Sequence, residues 1–246
     1  SEHFPFLRQG ILAGLGVGLV PDYVVDDAVA SGEVLTTLDD WAALLAAPDA
    51  DFVMGCDFPF GLPRAFVDAL RQHGPGRLPE ALCTAPAPPS SEAAQLITAL
   101  HQHCGDRAGF QRLIDEWGQT WHTHGDDAPR AGHKLLHRRT DQAMPGVSST
   151  SPLQTRYVPV GKMYFEGMKR LVDADVSLPG LRTGRADAIA LEAYPGLLAG
   201  EILGRRSYKS ETDATPERLI ARLDLIDALE QGRTRLGLRL KLTPAQ

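Results

Sequence analysis

Cysteine is scarce in this chain of 246 residues. Cys56, Cys83 and Cys104 form no CxxC pair and leave an odd one over, which speaks against a disulfide framework and a structural zinc knuckle. Long apolar runs are missing too. The longest early candidate, Ile11 to Val20, is short, glycine-rich and stopped by Pro21 without a cleavage-site pattern, so neither a membrane span nor a signal peptide is predicted. The expectation is a cytoplasmic protein. Positive charge is not in excess either: a net charge of −6 argues against sequence-independent binding of a duplex by the whole surface. Residues 1 to 57 hold Arg8 against ten acids, and the other 24 Lys and Arg face 21 acids in residues 58 to 246. Only the longer part presents a surface suited to an anionic partner.

Several catalytic signatures are absent. There is no GKS/T phosphate loop and no GxSxG elbow. GLGVG, residues 14 to 18, does not fit GxGxxG and runs into an apolar stretch instead of opening a helix, so a dinucleotide loop is rejected. Hydrophobic content of 43% nonetheless suffices for a full core in one large domain, or one domain with an appendage.

The patterning that is present alternates helix and strand, which predicts an α/β fold. Residues 6 to 13 suit a short helix, VGLVP a strand, DYVVDDAVASG a helix and EVLTTL a strand. DDWAALLAAP reads as a helix stopped by Pro48, and DFVMGCD as a strand buried on both faces of a parallel sheet. RAFVDALRQHG, SEAAQLITALHQHCG, FQRLIDEWGQTWH and KMYFEGMKRLVDA are helical, with CTAPAPPSS a connector and residues 142 to 162 an irregular surface loop. ADAIALEAYPG is another strand, and Pro195 opens a helix that Gly204 closes. A final helix runs from Thr215 as N-cap, with Pro216 at its first turn, to Gly232.

Two strands share an ending. FVMGCDFPFG places Asp57 after an apolar run and before an aromatic-proline turn, and ALEAYPG repeats this 135 positions later with Glu192. Open α/β sheets place ligands at the carboxyl ends of their strands. If the strands are parallel neighbours, the two carboxylates converge as hard oxygen ligands suited to Mg²⁺ or Mn²⁺. The plainer alternative is that each acid caps its turn or pairs with an arginine such as Arg64 or Arg139. RRTD, residues 138 to 141, sets Arg138 and Arg139 beside Asp141, and GRRSYK adds Lys209; these are phosphate clamps or a solvated basic face. His122, His124, Asp126, His133 and His137 have zinc-ligand types, with ordinary polar surface as the alternative.

Residues 33 to 242 resemble a family of predicted nucleases with an RNase H-like fold. The matching pieces are TTLDDWAALL, DFPFGLPR, HRRTD, VPVGKM, GMKRLVDADVSLPGL, ALEAYPGLLAGEILGRRSYKS and TPERLIARLDLIDALEQG. The resemblance implies an RNase H-like core sheet with several helices and a metal-dependent nuclease or phosphodiesterase activity. It implies Asp57 as a core-strand metal ligand and Glu192 as a second acid, and it places Arg139 and Asp141 in an RxxD-like block; the candidate catalytic acids are then Asp57, Glu192 and Asp141, and the candidate phosphate-binding residues are Arg139, Lys209 and Arg64. Tyr208 and Lys209 match its YK block. Family members also carry an acid on an opening strand and another on a closing helix, and neither has a counterpart here. PFLRQGILAGLGVGLVPDYVVDDAVASGEVL is instead similar to the last part of the effector-binding domain of LysR-type regulators.

These resemblances divide the chain into residues 1 to 35, a regulator-like fragment, and 36 to 246, a nuclease-like domain whose sheet is expected to be incomplete because the fragment stands in place of the family's first strands. Two functions follow as expectations. One is a hydrolase of phosphodiester bonds dependent on Mg²⁺ or Mn²⁺, with nucleic acid as partner and with turnover weakened by the two missing acids. The other is a non-catalytic protein that binds a nucleotide or another anionic ligand. Beside these two stands a regulator-derived effector-binding module that forms homo-oligomers through the N-terminal segment.

Overall fold

A computed structural model describes residues 37–47, 51–73, 92–118, 135–143, 149–156, 158–208, 215–235, 237 and 239. The expected elements before residue 37, the 35/36 division and the N-terminal oligomerisation surface lie outside them. Over the described residues the chain is an α/β protein. It has two compact units: one is Trp41–Glu192, and the other belongs to Ser1–Asp40 with Ala193–Gln246.

In chain order the elements leading into the sheet are α1 (Leu38–Ala46), β1 (Phe52–Cys56) and α2 (Arg64–His73). Helix α1 starts where the sequence predicts. Thr37 Oγ1 accepts the Asp40 backbone N–H at 3.0 Å and donates to the Asp40 carboxylate at 2.6 Å, satisfying a first-turn amide. Then come α3 (Glu92–Cys104), α4 (Arg107–Gly118), the single turn α5 (Arg139–Gln142) and α6 (Val160–Asp173). The expected irregular loop therefore ends earlier than 162, because Val160 and Gly161 already form the first turn of α6. Gly161 fits there because a Cβ would sit 2.6 Å from the Pro152 carbonyl oxygen.

The sheet of the described residues has three strands in the order β1-β3-β2, with β2 at Val176–Ser177 and β3 at Arg185–Glu192. Both pairings are parallel. Phe52 aligns with Ala188 and Cys56 with Glu192, so the two long strands finish side by side. Helices α3, α4 and α6 pack on one another over the core. Side chains alternate across a strand, and Cys56, Ala188 and Ala190 are buried on one face while Val53 and Leu191 are exposed on the other. This corrects the expectation of a strand buried on both faces. β1 is an edge of the described sheet, and the aromatic core covers only its inner face.

That core is built from rings. Phe165 of α6 lies between His101 of α3, with centroids 3.7 Å apart and planes at 8°, and Phe110 of α4, at 4.9 Å and 20°. Phe165 and Phe110 are fully buried, and each such side chain contributes roughly 1.5–3 kcal/mol by leaving water.

The second unit joins α7 (Pro195–Leu203) and α8 (Pro216–Glu230) through Ala199, Leu203, Ala221, Leu225 and Leu229. Tyr208 packs on this cluster, and the buried Arg222 gives an Nη1 hydrogen bond to the Tyr208 carbonyl at 3.1 Å. Gly204 and Gly232 end the two helices at φ of 61° and 67°, a region that favours glycine. No helix of the described residues is long and apolar enough to cross a membrane.

Candidate functional site

The turn after β1 is anchored inward. Phe60 and Leu62 are buried, Phe58 meets Trp41 edge-on at 6.1 Å and Phe60 at 5.5 Å, and Phe58 lies over Gly167 of α6. A Cβ on Gly167 would come 2.4 Å from the Phe58 ring, so this contact requires glycine. Two prolines and three apolar side chains thus fix the loop that carries Asp57. The backbone N–H of Phe60 then points at the end of β3, where it donates to Glu192 Oε2 at 2.9 Å.

Glu192 and Asp57 occupy the same end of the sheet. Glu192 is the last residue of β3 and pairs in register with Cys56, the residue before Asp57. Asp57 is exposed, and Glu192 keeps 35% of its side chain exposed. Between Glu192 and α5 stands Arg138, whose side chain is 13% exposed. Its Nη1 and Nη2 donate to Glu192 Oε2 at 2.8 Å and Oε1 at 2.5 Å.

The same guanidinium binds Asp141, with Nε 3.1 Å from both oxygens and Nη2 2.6 Å from Oδ1. Asp141 also accepts the Arg138 backbone N–H at 2.8 Å, while its own N–H donates to the Arg138 carbonyl at 3.1 Å, which closes the single turn of α5. Burial opposes the charge on Arg138, but its bonds to Glu192 and then Asp141 outweigh burial and hold the guanidinium protonated above its ordinary range. Such bidentate pairs are the stronger class of hydrogen bond.

Arg138 is the residue that sequence reasoning underused. The two arginines of RRTD are adjacent, and Arg139 was the expected clamp; in the structure Arg139 is exposed and makes no ion pair among the described residues. The signal for Arg138 is the spacing of three to Asp141, which makes Arg138 the residue that a one-turn helix places at its N-cap. Arg64, another expected phosphate group, is turned to acids instead: Asp68 at 2.9 Å and Glu92 at 3.2 Å. Its side chain remains 66% exposed. Tyr208 belongs to the second unit's apolar cluster, and Lys209 lies outside the described residues.

The histidine reading meets a similar limit. His137 bonds the Ser149 carbonyl at 3.0 Å, while His122, His124, Asp126 and His133 lie outside the described residues. Ser151 Oγ donates to the Leu136 carbonyl and accepts the Leu153 N–H, so residues 135–138 are clipped to the segment beyond 149. Cys56, next to the strand end, is not a nucleophile at neutral pH, because burial pushes its thiol up to about 12.

No family model matches the chain, and comparison with curated proteins and with solved structures gives no match.

The donor chemistry suits a hard divalent cation in kind. Mg²⁺ keeps several waters and typically takes one or two carboxylates, which the strand ends supply as Asp57 and Glu192. Among the described residues no group of three or more His, Cys, Asp or Glu forms an all-protein cage. Arg138 shares both oxygens of Glu192 with any such ion. Glu192 therefore already performs the two plainer tasks, capping the β1 turn and pairing with an arginine.

Proposed function

We propose that the chain is a metal-dependent phosphodiester hydrolase with an RNase H-like core, acting on nucleic acid at the carboxyl end of the β1–β3 pair. The observation that carries this reading is the parallel register of Cys56 with Glu192, which brings Asp57 and Glu192 to one end of neighbouring strands. Asp57 and Glu192 are the residues to hold Mg²⁺ or Mn²⁺, which when bound polarises a phosphoryl oxygen and neutralises its charge. The buried Asp141 keeps Arg138 in place, and Arg139, exposed and in no ion pair among the described residues, is a cation that can meet a phosphate. Lys209 keeps the role of a point charge toward phosphate that its residue type suggests.

The test is a titration of Mg²⁺ and Mn²⁺ with RNA and DNA substrates, on the wild type and Asp57→Ala. Cleavage that depends on the ion and disappears in the variant supports a hydrolase. Binding of the ion with no cleavage by the wild type overturns it.

One observation favours a second reading. Arg138 engages both oxygens of Glu192, a closed ion-pair network, and this suits a non-catalytic protein that binds a nucleotide or other anionic ligand beside the strand ends. Nucleotide binding without ion-stimulated cleavage would select it.

A further inference from the structure

We propose that Arg138 is a latch on Glu192: the guanidinium holds the carboxylate closed, and a divalent cation reaches Glu192 only as Arg138 releases it. The inference rests on the reading of Asp57 and Glu192 as metal ligands, and it makes Arg138 a positioning residue.

The two carboxylates of Arg138 are not equivalent. Asp141, with 5% of its side chain exposed, receives Nε, Nη2 and the backbone N–H of Arg138. Breaking that set strands a buried charge, so Asp141 is the anchor. Glu192 receives only the two Nη groups, and its side chain is 35% exposed. Water can replace the guanidinium there at little loss, so this half of the bridge is exchangeable.

Release would not set Glu192 adrift. Its Oε2 still accepts the Phe60 N–H at 2.9 Å, which keeps the carboxylate aimed along the strand end. Charge favours the exchange as well. Arg138 is paired with two acids, Asp141 and Glu192, so the bridge carries an excess of negative charge that favours a cation. Once released, the Nη groups of Arg138 present the fork that binds phosphate bidentately, so cation and phosphate ester would each favour the other's binding by linkage.

The experiment measures Mn²⁺ binding by calorimetry to the full chain as wild type, Arg138→Gln, Arg138→Lys and Glu192→Gln, with thermal unfolding of each. The expected result is a Kd for Arg138→Gln lower than wild type by on the order of tenfold. Arg138→Lys falls between, and Glu192→Gln binds weakly. A Kd equal in wild type and Arg138→Gln, with only a lowered Tm, makes Arg138 a structural clip and overturns the latch, while the metal reading stands. Absence of Mn²⁺ binding in every variant overturns both. If Arg138→Gln does not fold, side-chain ¹⁵N signals of arginine in the wild type decide: displacement of the Arg138 Nη signals by Mg²⁺ supports the latch, and their constancy at saturation overturns it.

Discussion

The ring stack and the strand-end cluster lie in one unit; the stack gathers side chains from three separate stretches of chain and the cluster from two. His101, Phe110 and Phe165 come from α3, α4 and α6; Arg138, Asp141 and Glu192 come from the approach to α5, from α5 itself and from β3. The stack is held by area and shape, which are insensitive to direction but demand volume. The cluster is held by direction, through short bonds to a planar fork, and it stays partly wet at Glu192. Stability therefore concentrates in the stack, while the cluster keeps one member exchangeable, as a binding site requires.

The largest effect expected from breaking this comparison is on the stack. Phe165→Ala removes a fully buried ring between two others and should destabilise by about 4 kcal/mol in urea unfolding. Asp141→Ala tests the dry half of the cluster. It leaves Arg138 with Glu192 alone and should destabilise by about 3 kcal/mol in the same measurement. A loss near zero for Asp141→Ala would show that the cluster is not held as an anchor and an exchangeable arm.

Much of the helical scaffold was legible in the sequence. The helices of RAFVDALRQHG, SEAAQLITALHQHCG and TPERLIARLDLIDALEQG follow from their apolar spacing, and Pro195, Gly204 and Gly232 mark ends that the backbone honours. The strand ends at Asp57 and Glu192 were legible as an echo, because the run before each is apolar and the turn after each is aromatic and proline-bearing. What could not be read is which arginine meets them. Arg138 and Arg139 differ only in that one sits at the N-cap, with φ −72° and ψ 158°, and the other on the first turn. The bond from Phe60 to Glu192 spans 132 positions and depends on pairing that no local pattern encodes. Two-residue β2 is too short to show a period, and the exposure of Val53 arises from which face the helices cover.

The smallest effect is a change in pH dependence within the stack, and it asks whether the stack is as indifferent to charge as its rings suggest. His101 Nε2–H donates a hydrogen bond to the Phe165 carbonyl at 2.8 Å, since that oxygen can only accept. Burial, the largest influence, lowers its pKa below the ordinary 6.5; the Phe165 carbonyl opposes burial, Lys169 adds to the lowering, and Glu166 and Asp173 oppose it. A histidine with a lowered folded pKa takes up its proton more readily when unfolded, so the unfolded state gains protons first as the solution is acidified. The contribution of His101 is therefore complete above about pH 6.5 and declines as pH falls from the unfolded value toward the lower folded one. His101→Gln keeps a donor for the Phe165 carbonyl and removes the titration. The difference in unfolding free energy between wild type and variant should shrink over that window and be flat above it; a difference that grows on acidification would mean that the charged imidazole is the form the stack prefers.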